Sequence, residues 1–482
     1  MTQLFPRLTS PDGGVVLRVG DETVTDVALA RRCAGLRRAL EARGVSPGQC
    51  VGVWTQPSME TLVALAACAA SGFVTVPIDP KLGPLELGHI ARDAQPVMTL
   101  AADAAAVEGR LAGVPVVALP LPEAAPTGGF REGDDAPLLI LYTSGTTGLP
   151  KGAVLSARNA AFDVDGLAKA WSWTRRDTVV HALPLFHVHG LVLGLYGSLR
   201  NGAGLTWLPR FSPEAVTDAL SARGDGKILF AVPTMYHRLA DAAETSPDLV
   251  RALRAARLLI SGSAALPLRD HQRIHQLTGR RVIERYGLTE TLINTAVRAG
   301  AEDEAGRVGP PVDGVELRLV DDARQPLDAF DDATIGEVAV RGPNVFLGYL
   351  NRPEATAAVK DADGWYYTGD LATRRADGSV RIVGRRATDL IKCGGYKVGA
   401  GEVEAALLEH PLVAEAAVVG RPDADLGEKI VAFVVTRGEV TSGTLIDFVA
   451  GQLSPHKRPR EVHLVEALPR NAMGKVQKAK LP

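Results

Sequence analysis

The apolar positions of the chain switch repeatedly between helical and strand periodicity. Apolar residues recur at helical spacing from Leu29 to Leu40 and stop before Gly44, which predicts a helix. The short apolar run Cys50–Trp54 predicts a buried strand. The same alternation predicts a helix over 58–70 and strands over 73–78, 137–142, 179–183, 228–232, 258–261 and 282–284. Buried strands that alternate with helices are typical of parallel α/β sheets.

The pattern changes after about residue 310. Short alternating strands separated by Gly, Asp and Pro predict a β-rich subdomain, with strands over 315–320, 337–341 and 380–383. A smaller α+β unit follows, with a helix over about 401–409 and strands over 416–419 and 430–435. A chain of 482 residues is too long for one ordinary core. We therefore predict a large domain over 1–385 and a small, mobile C-terminal domain over 386–482.

Composition narrows the class of protein. Lys and Arg number 53 and Asp and Glu 55, so no basic excess indicates a nucleic-acid partner. The four cysteines lack metal-ligand spacing. The N-terminus lacks the apolar segment of a signal peptide, and Ser71-Gly72 interrupts the most apolar stretch, 62–78, which indicates a buried helix and strand instead of a membrane span. We expect a cytoplasmic protein with no membrane partner.

Residues 142–152 read YTSGTTGLPKG and directly follow a predicted strand. Glycines permit close approach of the backbone to phosphates, four hydroxyls can donate to phosphate oxygens, and Lys151 adds positive charge. A Walker A loop starting at Gly145 would need Gly at 150 and Ser or Thr at 152. The sequence has Pro150 and Gly152. The segment is therefore a phosphate-binding loop of another kind.

This loop resembles the signature loop of the adenylate-forming superfamily, which comprises acyl-CoA synthetases, peptide-synthetase adenylation domains and beetle luciferases. Further segments resemble the family's other motifs in the family's order: LPLFHVHG at 183–190, SGSAAL at 261–266, ERYGLTET at 284–291, YTGD at 367–370, KCGGYK at 392–397 and PRNAMGK at 469–475. The resemblance spans about 140 to 478. It implies a large domain of parallel α/β sheets with a β-rich subdomain, a small mobile α+β domain, and ATP, Mg²⁺ and coenzyme A as cofactors.

The resemblance also implies roles for individual residues. Those expected to bind ATP or AMP are Thr143, Ser144, Gly145, Thr146, Thr147, Gly148, Lys151, Gly262, Ser263, Ala264, Tyr286, Gly287, Thr289, Asp370 and Arg385. Catalysis is expected from Lys475, Glu290 and Thr146, of which the last two would hold Mg²⁺. Those expected to serve thioester formation with CoA are Lys392, Gly394, Gly395 and Arg458. The segment before Lys392 is one residue longer than usual in the family, so both Thr388 and Asp389 remain possible hinge residues.

The implied reaction has two halves in one site. The carboxylate of the acid attacks the α-phosphorus of ATP and pyrophosphate leaves, with Lys475, Lys151 and loop hydroxyls stabilising the growing charge. The small domain then rotates, a thiol attacks the acyl-adenylate, and AMP leaves. The segment 392–395 would replace Lys475 in the site during this second step.

Four residues are expected to contact the acid: His189, Arg238, Ser261 and Arg285. Arginines there favour a second carboxylate, held by charge-assisted hydrogen bonds. The combination resembles malonyl-CoA and methylmalonyl-CoA synthetases, so we expect a malonate or methylmalonate ligase. The alternatives are structural ion pairs for the arginines, a short monocarboxylic acid as substrate, and a carrier-protein thiol or an amine as acceptor. The oligomeric state stays open.

Overall fold

A computed structural model gives the architecture of the chain. The structure describes residues 3–111, 113–126, 134–143, 149–224, 226–301, 305–386, 389–394, 396–470 and 476–482, and only the backbone of Lys397. Within these ranges the strands form four sheets. Two large sheets with parallel centres, an antiparallel sheet and a small C-terminal sheet give the mixed α/β fold that the sequence predicts, so the predicted fold class is confirmed.

The first sheet positions most of the candidate site. Among the described residues it has eight strands, and the six central ones run parallel. In spatial order the strands are Leu292–Ala296, Val282–Leu288, Leu258–Ser261, Lys227–Ala231, Thr178–His181, Gly204–Trp207, Val15–Val19 and Glu22–Thr25. Both edge strands pair antiparallel with their neighbours. The carboxyl ends of the parallel strands therefore meet at one edge, where α/β sheets commonly bind ligands.

The second sheet carries the predicted phosphate loop. Its seven described strands are, in spatial order, Gly348–Tyr349, Lys151–Ser156, Pro137–Thr143, Val74–Ile78, Cys50–Trp54, Met98–Ala101 and Val116–Ala118. The last five run parallel, and Lys151–Ser156 turns back antiparallel against Pro137–Thr143. The phosphate loop therefore connects two strands of a hairpin.

Two further sheets follow along the chain. The antiparallel β-rich sheet has, in spatial order, the described strands Pro326–Leu327, Glu316–Val320, Gly336–Arg341, Tyr366–Arg374 and Val380–Arg385. The C-terminal sheet consists, in the described part of the chain, of Tyr396–Gly399, Leu390–Cys393, Gly427–Thr436, Val413–Asp423 and Glu461–Leu464. This last sheet packs on a hydrophobic core of its own, formed by residues between Ile391 and Val462. The exact domain boundary near residue 385 stays a prediction.

The helices cover the sheets. The described α-helices are Pro6–Thr9, Asp26–Glu41, Met59–Ser71, Pro84–Ala94, Ala157–Trp171, Gly197–Asn201, Pro213–Ser221, Pro233–Ala243, Pro247–Ala255, Leu268–Thr278, Pro353–Val359, Ala400–Leu408 and Ser442–Gln452. Residues His189–Tyr196 form a π-helix, and Pro455–Lys457 and Lys478–Lys480 are 3₁₀ turns.

The apolar helix Met59–Ser71 lies at the centre of the large core. Ser58 caps it by accepting the backbone N–H of Thr61, and Gly72 ends it in the left-handed conformation, with φ +85°. The helix packs against Asp26–Glu41 and contacts strands of both parallel sheets, and Thr61 to Ser71 are all buried. Because every side of this helix is buried, its residues are nearly all apolar. No helix in the described ranges is long and apolar enough to cross a membrane.

The cysteines lie in these cores. Cys33 and Cys68 are fully buried where the two central helices pack, Cys50 is half-buried, and Cys393 is buried in the C-terminal core. All four thiols are free.

Candidate active site

The edge of the first sheet brings three predicted acid-binding residues together. Ser261 ends its strand, Arg285 lies on the neighbouring strand, and His189 begins the π-helix that packs on the sheet. All three are buried, with exposed fractions of 0, 6 and 5%. Gly262 supplies the room for Arg285, because a Cβ at Gly262 would lie 2.4 Å from its guanidinium carbon. A side chain at position 262 would therefore displace the arginine.

Several buried polar atoms of these three residues have unused hydrogen-bonding capacity. Among the described residues, the Nε atom of Arg285, both ring nitrogens of His189 and the hydroxyl of Ser261 have no hydrogen-bond partner. A buried polar group without a partner costs free energy, roughly 1–3 kcal/mol for each group. Such atoms gathered around a guanidinium fit a bound anion, which would accept hydrogen bonds from them. We name Arg285, His189 and Ser261 the anion cluster.

One carboxyl group lies close to the anion cluster. Asp163, fully buried on the helix Ala157–Trp171, accepts a hydrogen bond from the backbone N–H of Ile293 at 2.9 Å. Burial raises the pKa of Asp163 to about 8, although that N–H and the positive charge of Arg285 oppose the rise. Burial lowers the pKa of Arg285 to about 10, against the attraction of Asp163. Arg285 is therefore charged at neutral pH while Asp163 is largely protonated.

The histidine of the cluster is neutral. Burial, and after it the charges of Arg285 and His181, lower the pKa of His189 well below its ordinary value. A neutral imidazole can donate one hydrogen bond and accept another. The preceding motif histidine, His187, is also buried, and burial lowers its pKa to about 4. Its ring packs against Phe186 at 4.4 Å between centroids.

Arg238 does not join the anion cluster in this structure. Its side chain is exposed on the helix Pro233–Ala243, and its guanidinium carbon lies 4.8 Å from the ring centroid of Phe211. Aromatic faces attract guanidinium groups in this geometry. Contact of Arg238 with the acid stays a prediction.

The predicted nucleotide residues form a second cluster. The hydroxyl of Tyr286 donates to the Asp370 carboxylate at 2.7 Å, and the Nε of Arg385 lies 3.0 Å from the other oxygen of that carboxylate. Burial alone would lower the pKa of Arg385, but attraction by Asp370 and neighbouring groups raises it. The structure thus brings together three residues that are separated by 84 and 15 positions in the sequence.

The loop Ser261 to Ala264 begins at the end of the strand that pairs with the strand carrying Tyr286. Ser263 adopts a left-handed φ of 74°, and the side chains of Ser263 and Ala264 are exposed beyond the strand end. Gly287 is required for a different reason. A Cβ there would lie 1.7 Å from the carbonyl oxygen of Leu292, across the hairpin that follows.

Glu290 lies in the turn of that hairpin, between the strands Val282–Leu288 and Leu292–Ala296, next to the half-buried Thr289. Its carboxylate accepts a hydrogen bond from the Tyr349 hydroxyl at 2.7 Å. The ammonium group of Lys151 lies 4.9 Å from the centroid of the same tyrosine ring. Tyr349 therefore connects the acidic turn with the end of the phosphate loop.

The carboxylate oxygens of Glu290 suit a hard cation that keeps most of its bound water molecules. No group of three His, Cys, Asp or Glu side chains in the described part of the chain forms a complete metal cage. Mg²⁺ is usually held by one or two carboxylates and completes its octahedron with water and substrate phosphates. A single buried carboxylate beside a phosphate loop suits that chemistry.

Several predicted residues lie outside the described ranges. They are Ser144, Gly145, Thr146, Thr147 and Gly148 of the phosphate loop, together with Thr388, Gly395 and Lys475. The described ends of the phosphate loop are held by the helix Pro84–Ala94, which sequence reasoning missed. A ring nitrogen of His89 bonds the carbonyl of Pro150 at 2.8 Å, and Tyr142, adjacent to Thr143, donates to Asp93 at 2.9 Å.

The predicted thioester segment lies on the C-terminal sheet. Lys392 is exposed, and Gly394 adopts a φ of +59° and donates to the carbonyl of Leu426. Cys393 between them points into the core. His456 stacks on Tyr396, which follows this segment, with 4.2 Å between ring centroids. His456 belongs to a basic cluster with Lys457, Arg458 and Arg460, in which Lys457 pairs with Glu402, Arg458 is half-buried and Arg460 is exposed.

The chain is similar to known proteins over nearly its whole length. It matches the family described as AMP-binding enzyme over residues 9–350 and that family's C-terminal domain over residues 402–475. The human mitochondrial malonate–CoA ligase ACSF3 is 37% identical over 470 residues, covering 87% of this chain and 80% of that protein. The sulfoacetate–CoA ligase of Cupriavidus necator is 35% identical, covering 99% and 94%.

A solved structure extends this similarity. The ternary product complex of a malonyl-CoA ligase with methylmalonyl-CoA and AMP is 50% identical, with a TM-score of 0.74 and coverage of 97% of this chain and all of that one. The adenylate-forming resemblance of the sequence motifs is therefore confirmed, and the chain belongs to the family of AMP-binding enzymes.

Proposed function

We propose that this protein is a CoA ligase for a small dianionic acid, with malonate or methylmalonate as its substrate. At the coarser level it is an AMP-forming acid–CoA ligase that uses ATP, Mg²⁺ and CoA. The observation that carries the finer assignment is the anion cluster, in which a buried, charged Arg285 has an open donor beside His189 and Ser261.

The position of the charge selects the substrate class. A monocarboxylic acid places its one carboxylate at the α-phosphorus and needs an apolar pocket beyond it. Arg285 instead lies in a buried site, where an unpaired charge costs several kcal/mol. A second anionic group on the acid would remove that cost by pairing with the guanidinium. Malonate and methylmalonate carry such a group two carbon–carbon bonds from the reacting one.

The similarity to a sulfoacetate–CoA ligase fits the same argument. Sulfoacetate also has a second anionic group, a sulfonate, bonded to the same carbon that bears its carboxylate. The chemistry shared by these acids is a compact dianion, and a sulfonate is therefore the rival for the second group. The human malonate–CoA ligase and the methylmalonyl-CoA complex favour the carboxylate.

The chain's own residues have the following proposed roles in adenylation. Arg285 holds the distal anion of the acid and thereby aims its carboxylate at the α-phosphorus of ATP. Asp370 accepts the ribose hydroxyls, and Arg385 stays paired with it. Lys475 and Lys151 stabilise negative charge on the phosphate oxygens as pyrophosphate leaves. Mg²⁺, held by Glu290 with Thr146, would neutralise charge on those oxygens.

Thioester formation uses another face of the chain. The CoA thiol attacks the acyl carbon, the bond to the AMP phosphate breaks, and the thiol proton leaves with solvent. The backbone of 392–395 would line the thiol's path, where Gly394 leaves room for the pantetheine arm. Arg458 would contact CoA phosphates. The rival to the dianionic substrate is a short monocarboxylic acid.

The test of the proposed function is a substrate panel. AMP release is measured with ATP, Mg²⁺ and CoA for acetate, malonate, methylmalonate, succinate, sulfoacetate and octanoate, and repeated without CoA. CoA-dependent preference for malonate or methylmalonate supports the proposal. Preference for sulfoacetate keeps the dianion and changes its second group, whereas preference for acetate or octanoate contradicts the assignment of Arg285.

The pKa of Asp163 predicts how acid binding depends on pH. Below about pH 8 the Asp163 carboxyl is protonated and neutral, so the guanidinium of Arg285 can pair with the substrate. Above it the ionised carboxylate competes for the same guanidinium. The KM for the diacid is therefore expected to rise on the alkaline side, by up to about tenfold per pH unit. Asp163→Asn, which still accepts the N–H of Ile293, should remove this rise. An identical pH profile in the variant would contradict the competition.

The cytoplasmic location stays a prediction. The name of the human relative places that protein in mitochondria.

A further inference from the structure

Asp389 bridges the predicted boundary between the two domains. One carboxylate oxygen accepts the backbone N–H of Arg385 at 2.9 Å, and the other lies 2.5 Å from the ammonium group of Lys478. Its own backbone N–H donates to the carbonyl of Arg385 at 2.6 Å, and its carbonyl accepts the N–H of Ala400 at 2.7 Å. A single side chain thus joins the last strand of the β-rich sheet to the C-terminal tail.

Lys478 has a second carboxylate partner. Its ammonium group lies 2.6 Å from Glu404, whose same oxygen accepts the backbone N–H of Val418 at 2.8 Å. Only 16% of the Lys478 side chain is exposed. Burial acts to lower the pKa of Lys478, but Glu404 and Asp389 outweigh it and raise that pKa. Lys478 therefore remains a cation at neutral pH and holds both acids.

The same tail carries the predicted catalytic lysine. Residues 471–475 lie outside the described ranges, but the residues on either side of them are tied together. Arg470 forms an antiparallel bridge with Val476, and the N–H of Gln477 donates to the carbonyl of Pro469 at 2.7 Å. Lys478 follows Lys475 by three residues, so their Cα atoms are at most about 11 Å apart. The position of Lys478 therefore limits the reach of Lys475.

These contacts connect the tail to the nucleotide cluster. Arg385, whose N–H bonds Asp389, pairs through its side chain with Asp370. Lys392 of the thioester segment and the neighbouring Tyr396 are exposed. The described contacts therefore connect Lys478 of the tail, through Asp389 and Arg385, to Asp370 of the nucleotide cluster.

We propose that Lys478 is a positioning residue for the adenylate-forming half-reaction, in which it fixes the Lys475 segment to Asp389 and through Asp389 to Arg385. The inference rests on the proposed function for the role of Lys475. Thioester formation, for which the small domain turns and Lys475 leaves the site, does not need this tie. Replacing Lys478 should therefore slow adenylation and leave thioester formation nearly unchanged.

The experiment compares Lys478→Met, Lys478→Arg and the matched control Lys480→Met, an exposed lysine on the same 3₁₀ turn. Adenylation is measured as acid-dependent exchange of labelled pyrophosphate into ATP. Thioester formation is measured as CoA consumption from a chemically prepared acyl-adenylate. For Lys478→Met we expect exchange to fall about 10- to 100-fold, as for small misplacements of catalytic groups. Thioester formation should stay within about threefold of the wild type.

Lys478→Arg retains the charge and should recover most of the exchange activity, and Lys480→Met should behave as the wild type. Equal loss of both half-reactions in Lys478→Met, or unchanged exchange, would overturn the positioning role. The acid used is whichever one the wild type activates best in the substrate panel. A failure of malonate in that panel therefore leaves the Lys478 comparison intact, and the two proposals are tested separately.

Discussion

Replacing Arg285 with alanine is expected to lower kcat/KM for malonate by about 30- to 5,000-fold, which corresponds to about 2–5 kcal/mol. The variant removes the buried cation of the anion cluster and leaves the distal carboxylate of the acid without a partner. Activity with acetate or propionate, which lack that carboxylate, should be retained or should rise. The measurement is initial-rate pyrophosphate release over a range of concentrations of each acid.

Two variants make this result specific. Arg285→Lys retains the charge but loses the planar fork, so it should recover only part of the malonate activity. Arg238→Ala tests the second arginine, whose side chain lies over Phe211. A loss confined to diacids would assign Arg238 to the acid, whereas unchanged kinetics would remove it from the site. Equal losses of Arg285→Ala with malonate and acetate would contradict the proposed substrate class.

Glu290→Gln is expected to slow adenylation about 100- to 1,000-fold, the range found when one preorganised electrostatic contact to a transition state is removed. The amide keeps an oxygen that can accept the hydroxyl of Tyr349, so the hairpin should fold. It lacks the negative charge that would hold Mg²⁺. The Mg²⁺ concentration that gives half-maximal pyrophosphate release should therefore rise along with the loss of rate.

Tyr349→Phe is the matched control, because it removes the same hydrogen bond but leaves the carboxylate. Its expected cost is that of one hydrogen bond, about 1 kcal/mol, or roughly fivefold in rate. An unchanged Mg²⁺ requirement in Glu290→Gln would show that the ion is held elsewhere.

The local elements of the fold were predictable because their signals lie within short segments. The strand Cys50–Trp54 was predicted with its observed bounds, and the buried helix Met59–Ser71 within one residue at each end. An apolar run with Ser58 before it and Gly72 after it can be recognised as a helix without knowledge of the rest of the chain. The site motifs were recognisable for the same reason, since each is a continuous segment.

The contacts between distant segments could not be predicted from one sequence. No sequence feature around Asp163 indicates that it lies beside Arg285. The need for glycine at position 262 is likewise apparent only once the position of the Arg285 guanidinium is known. His89 gave no signal either, because its helix lies about sixty residues before the carbonyl that it bonds.

The buried thiols have a consequence for a protein that makes an acylating agent. An acyl-adenylate reacts with thiolates, and a chain with accessible cysteines would acylate itself. Burial raises the pKa of Cys33 to about 12 and also raises the pKa values of Cys50 and Cys68. Cys393, although it lies within the thioester segment, points into the core with 2% of its surface exposed. Three thiols of the folded chain are therefore buried, and the half-buried Cys50 is kept in its less reactive thiol form, which favours the thiol of the second substrate as the nucleophile.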